Sequence, residues 1–148
     1  MSAISACEFN DFDKVKELID KGELVLFNHV YFGNIEELSF LIEKGCNNNA
    51  KNKGRGTPLH YACIRNNFSV IKLLLEKGAD IESKDIYGNT PLITSSIHSS
   101  IVIMKFLIGK GANIEEINYD SGTFMSYVRR CYRIHKGYSI SKSHGEAL

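Results

Sequence analysis

The stretch Gly56-Thr57-Pro58-Leu59-His60-Tyr61-Ala62-Cys63 returns along this chain at a fixed interval, and that interval constrains the fold more than any other feature. Moved by 33 residues, Thr57-Pro58-Leu59 becomes Thr90-Pro91-Leu92 and then Thr123-Phe124-Met125. Leu74-Leu75-Glu76-Lys77-Gly78-Ala79-Asp80-Ile81 becomes Leu107-Ile108-Gly109-Lys110-Gly111-Ala112-Asn113-Ile114. Going backwards it becomes Leu41-Ile42-Glu43-Lys44-Gly45-Cys46-Asn47-Asn48. A constant period in this range is the signature of stacked supersecondary units, each too small to bury its apolar face alone.

The residue types predict what one unit looks like. Thr57 suits an N-cap, because its hydroxyl can accept an unpaired amide of the first helical turn. Pro58 follows at the first helical position, where its missing N–H costs nothing. Asn66-Asn67 breaks that short helix. A second helix starts near Ser69, and Val70, Ile71, Leu73, Leu74 and Leu75 are too many apolar residues for one narrow stripe. Gly78 ends it in the left-handed conformation that glycine adopts without strain. The stretch from Ala79 to Asn89 is polar, with turn chemistry at Tyr87-Gly88-Asn89.

Helix, turn, helix and extended finger, with Thr57-Pro58-Leu59-His60 and Gly78-Ala79-Asp80 repeating at this spacing, resemble the ankyrin repeat. The resemblance spans residues 1–132. It implies an all-α repeat solenoid of stacked helix-turn-helix units with short β-hairpin-like fingers. The expected units are 1–22, 23–56, 57–89, 90–122 and a partial 123–132. In the first, Ala6-Cys7 stands before Gly22 as Ala62-Cys63 stands before Gly78. The charged set Asp13, Lys14, Lys16, Glu17 and Asp20 suits an end cap. From Gly22 to Gly45 the spacing shrinks to 23, so a finger is missing there, and Leu24 to Phe32 reads directly as helix. In the first full finger, Asn52-Lys53-Gly54-Arg55 carries its glycine one place away from the family's Asp-x-x-Gly. Ile101 to Ile108 is nearly all apolar, as a central layer would be. After Cys131 the second-helix pattern fails, and residues 133–148 read as a degenerate cap or flexible tail.

Composition excludes several classes of function. The chain has 148 residues and a net charge of +1, so no overall field favours nucleic acid or an anionic membrane. No apolar run approaches the roughly 20 residues that span a bilayer. Met1 to Asp13 has no basic region followed by an apolar core, so no signal peptide is expected. The four cysteines, Cys7, Cys46, Cys63 and Cys131, are widely spaced, which points to free thiols in a reducing, cytoplasmic compartment. The isoleucine, lysine and asparagine usage resembles coding from an AT-rich genome, as in a virus, an intracellular bacterium or a protist. For the first two, the compartment would be the host cytoplasm. The motifs of phosphate loops, zinc proteases, hydrolase elbows and paired-cysteine metal sites are all missing. No catalytic residue, metal or cofactor is therefore expected. His60 reads as a structural side chain that ties down the next finger, as the family uses it, and Cys131 is the one thiol placed beside arginines, Arg129 and Arg130.

The resemblance further implies a non-catalytic module that binds another protein through a concave surface of finger tips and first helices. A competitive modulator of a host or cellular signalling protein is one such use. An adaptor that recruits a client to other machinery, or a non-functional remnant of a longer protein, is the alternative. Carried over residue by residue, the tip positions are Lys51, Lys53, Lys84, Ile86, Tyr87, Asn89, Ile117, Tyr119 and Asp120. The first-helix positions are Ile64, Arg65, Ile97, His98 and Arg130. The apolar members would form the centre of an interface. Lys51, Lys53, Arg65, Lys84 and Arg130 would form a basic rim that steers an acidic patch on a partner. Asn49 occupies a finger position that the family can hydroxylate. The chain is expected to act as a monomer.

Overall fold

The structure, a computed structural model, describes residues 13, 17, 26–98 and 100–143. Most of the first expected unit, with Ala6-Cys7 and Gly22, lies outside the described residues, as do residues 144–148. Asp13 and Glu17 are helical and exposed. Seven helices follow: α1 Leu26–Phe32, α2 Ile35–Glu43, α3 Pro58–Ile64, α4 Phe68–Glu76, α5 Pro91–Ile97, α6 Ile101–Gly109 and α7 Phe124–Ser143. First helices (α1, α3, α5, α7) pack on one another in order, and second helices form a parallel layer beside them. The core is the seam between the layers: Leu38 and Leu41, Leu59 and Leu74, Leu92 and Leu107 are buried. Among the described residues the only β-pairing is one isolated antiparallel bridge, Ile117 to Thr123, so the fingers are turns rather than ladders.

The helix boundaries follow from the expected chemistry. Two residues past the ends of α2, α4 and α6 stand glycines with positive φ, Gly45, Gly78 and Gly111. The amide of each glycine and the one after it fold back onto the helix's last carbonyls, for example Ala79 N to Leu74 O at 2.9 Å and Gly78 N to Leu75 O at 3.2 Å. Asn34 and Asn67 cap α2 and α4 by accepting the Glu37 and Val70 amides. At Thr90 the hydroxyl accepts the Ile93 amide. At Thr123 the bond is reciprocal: Ser126 N donates to Thr123 Oγ1, and Thr123 N donates to Ser126 Oγ.

Each finger tip closes the same way. Asn52, Asp85 and Asn118 donate their amides to the carbonyls of Gly56, Asn89 and Gly122. Their side chains accept the amides of the same three residues. Asn52 and Asn118 also donate to the hydroxyls of Tyr61 and Tyr127, both at 2.9 Å. The displaced glycine of the first tip does not change this geometry. Arg55 takes the left-handed conformation, φ 55°, that Gly88 takes at 75° and Ser121 at 59°.

Two expectations meet a different outcome. α7 runs through the expected boundary at 132/133 as far as Ser143. The reason lies in register: the break residues Asn66-Asn67 are replaced by Tyr132-Arg133, which continue a helix readily, and one glycine, Gly137, costs only about 1 kcal/mol. α6, expected as a central layer, has an open outer face, because Ile101 and Val102 are 63% and 66% exposed.

Candidate functional site

The finger tips are tied to one another before any partner arrives. Ile86 N donates to Gly54 O at 2.8 Å, and Tyr119 N donates to Tyr87 O at 2.9 Å. Lys51 Nζ reaches Lys84 O at 3.2 Å, and one period later Lys84 Nζ reaches Ile117 O at 3.4 Å. Nearer the helices, Asn49 Oδ1 accepts the Asp80 amide and Glu82 accepts the Asn113 amide, both at 2.7 Å. Backbone held this way loses little freedom on binding.

On this frame the apolar tip residues face water. Tyr87 and Tyr119 are 65% and 68% exposed, and Ile86 and Ile117 about half so, at 50% and 53%. The neighbouring finger therefore does not absorb them. The first helices add Ile64 and Ile97, exposed at equivalent positions, and Arg130 one period on. Lys51, Lys53, Arg65, His98 and Asp120 are also exposed.

Two of the expected contact residues have other work. Asn89 is 8% exposed and is a clasp rather than a contact. Its amide donates to Asp85, its carbonyl accepts from His60 Nε2 at 2.8 Å, and its side-chain oxygen accepts from Asn118 at 2.8 Å. A polar residue on a tip is consumed when both flanking repeats need its hydrogen bonds. Lys84 is part of the expected basic rim, but its ammonium lies 2.8 Å from Glu116. That hydrogen bond raises the Lys84 pKa and lowers that of Glu116. The positive field of the rim is correspondingly weaker at the second and third fingers. Asn49 is exposed, with its side chain bridging to the next repeat.

His60 is 2% exposed. Its Nδ1 accepts the Thr57 amide at 3.1 Å, which leaves the proton on Nε2 for the Asn89 carbonyl. Burial holds its pKa below the ordinary histidine value. Cys63 is buried in the core and burial pushes its thiol pKa up, as burial does at Cys46. Cys131 is half-buried against the Ser96 carbonyl. Among the described residues no group of three or more His, Cys, Asp or Glu side chains is arranged to hold a metal ion, and no helix is long and apolar enough to cross a membrane.

Sequence reasoning missed Arg55, exposed at the first tip beside Lys53, and the outer face of α6. Both were available from register. Val102 falls where Glu36 and Ser69 stand, at a position exposed in every unit.

A family model of ankyrin repeats, in three copies, matches residues 3–118. A search of curated proteins finds no match.

Proposed function

We propose, for a chain that belongs to the ankyrin-repeat family, that it binds one partner protein through the concave surface made by Lys51, Lys53, Ile64, Arg65, Ile86, Tyr87, Ile97, His98, Ile117, Tyr119, Asp120 and Arg130. Ankyrin repeats are in general protein–protein interaction modules and typically non-catalytic. The observation that carries the reading is the row of exposed apolar side chains on two fingers joined by the Tyr119–Tyr87 backbone hydrogen bond. Large aromatic rings on pre-ordered backbone are the composition of an interface centre. The partner is a protein with an apolar contact patch beside acidic residues, met at the first finger by Lys51, Lys53 and Arg55. That Cys46, Cys63 and Cys131 are not joined in disulfides supports work in the cytoplasm. Occupying a signalling protein's surface in competition with its usual partner is the mode that a small rigid array of this kind suits.

The test is co-purification from cell extract with wild type and Tyr87→Ala/Tyr119→Ala, both checked by circular dichroism. A protein held by the wild type and lost by the folded double variant supports the reading. The same protein held equally by both overturns it.

A further inference from the structure

The last two described helices, α6 and α7, carry apolar positions that are less exposed in the earlier units. In α3 the inward residues Leu59, Ala62 and Cys63 are fully buried, and in α5 their counterparts Leu92, Ser95 and Ser96 are exposed by 1% or less. One period later, in α7, Met125 is 40% exposed, Val128 half-buried and Arg129 exposed. The second-helix layer shows a smaller change in the same direction. Phe68 of α4 packs edge-on against Phe106 of α6, centroids 4.8 Å apart. Phe68 is 39% exposed and its counterpart on α6, Ile101, 63%, and Ile108 is exposed where Leu75 is half-buried. α7 continues straight to Ser143, so among the described residues no helix takes the place that α4 and α6 take in their own units.

Shape and charge together define the occupant. In the preceding units this place holds an α-helix with apolar residues on its inner face. Arg129 stands where Cys63 and Ser96 are buried, and Lys105 lies between Ile101 and Ile108 on α6. Neither α6 nor α7 contains an aspartate or glutamate. Two cations of the stack are met by acids from the adjoining repeat, Lys77 by Glu43 at 3.0 Å and Lys84 by Glu116 at 2.8 Å. A second copy docked through the same face would meet Arg129 and Lys105 with two helices that carry cations and no acid.

We infer that the groove between α6 and α7 receives an α-helix from another protein, whose apolar stripe lies on Ile101, Ile108 and Met125 and whose flanking Asp or Glu residues pair with Lys105 and Arg129. This surface shares no residue with the concave one and stands or falls independently of it.

The test uses two synthetic helical peptides of about 15 residues, long enough to hold helix once docked. They share one leucine stripe and differ only in flanking residues, Glu in one and Lys in the other. Amide NMR of the full chain is expected to show the Glu peptide shifting Ile101, Ile108 and Met125. The double variant Lys105→Glu/Arg129→Glu should weaken that peptide at least tenfold and acquire binding of the Lys peptide, a gain that unfolding cannot imitate. Tyr87→Ala should leave both affinities unchanged. Equal binding of the two peptides by wild type overturns the inference, as do shifts at the fingers instead or no shift at all. A sedimenting dimer dispersed by Ile101→Glu would also overturn it, by giving the groove to a second copy.

Discussion

The imidazole of His60 joins two successive repeats, accepting the Thr57 amide at 3.1 Å through Nδ1 and donating to the Asn89 carbonyl at 2.8 Å through Nε2. Asn89 in turn is bonded to Asn118 of the following finger. One ring thus fixes the start of α3 and the approach to α5. Truncating it leaves a buried donor and a buried acceptor without partners, each a penalty of order 1–3 kcal/mol. His60→Ala should destabilise the protein by about 2–4 kcal/mol, read from urea unfolding at pH 7.5.

The same bonds set a pH dependence. Burial lowers the folded pKa of His60 below the ordinary value of about 6.5. A protonated ring also loses the lone pair that accepts the Thr57 amide. The unfolded chain therefore binds the proton more readily, and the stability contributed by neutral His60 is full above about pH 6.5 and lost as pH falls through the folded value. The urea midpoint of wild type should drop between pH 7 and pH 5, and that of His60→Ala should drop less. Equal slopes would place the titration on another group.

Glycine is required at one tip and tolerably replaced at two others. A Cβ at Gly88 would lie 2.9 Å from the Tyr119 ring and 3.0 Å from its amide nitrogen, on a backbone with φ +75°. Gly88→Ala should cost about 2–3 kcal/mol from left-handed strain plus the clash. At Arg55 and Ser121 the side chain already bears that strain. Ser121→Gly relieves it but gains freedom in the unfolded chain, so the net should be a stabilisation of up to about 1 kcal/mol. Thermal unfolding of the two variants checks the opposite signs.

Thr94 stands at the register of Tyr61 and Tyr127, but it is too short to play their part. Those two hydroxyls hold Asn52 and Asn118, whereas the Thr94 hydroxyl is buried without a partner. The equivalent tip residue is Asp85, which is satisfied by the Tyr87 and Asn89 amides. Removing an unsatisfied hydroxyl without changing side-chain shape should help. Thr94→Val is expected to stabilise by about 1 kcal/mol, measured as a raised urea midpoint at unchanged slope.

How much of this was legible depended on whether a feature belongs to one repeat or to two. The helix pairs were readable because Thr57, Pro58, Asn67 and Gly78 act on their own segment. Ile86, Tyr87, Ile117 and Tyr119 were readable as exposed because a single turn carries them outward. The engagement of Asn89 was not, since it depends on His60 and Asn118, each 29 residues away. The loss of Lys84 from the free rim depends on Glu116 in the next finger. Arg55 looked like a departure from the turn pattern, yet the hydrogen bonds of Asn52 hold it left-handed without a glycine. The length of α7 was hidden by its serine-rich end, while the decisive change was the replacement of Asn66-Asn67 by Tyr132-Arg133.

The two chemistries of the proposed binding surface should separate kinetically once a captured partner is in hand. Tyr87 and Tyr119 offer large rings whose burial would be realised only in the docked complex, so their loss should act on dissociation. Tyr87→Ala should weaken binding by at least 2 kcal/mol, about 30-fold, mostly in the dissociation rate. Lys53 stays exposed at the first tip, where its charge acts on the approaching partner and is screened by salt. Lys53→Glu should therefore slow association in low salt, and the difference from wild type should shrink as ionic strength rises. Surface plasmon resonance at two salt concentrations resolves both. If Tyr87→Ala left the dissociation rate unchanged while Lys53→Glu abolished binding at every salt concentration, the basic tip rather than the tyrosines would be the centre of the interface.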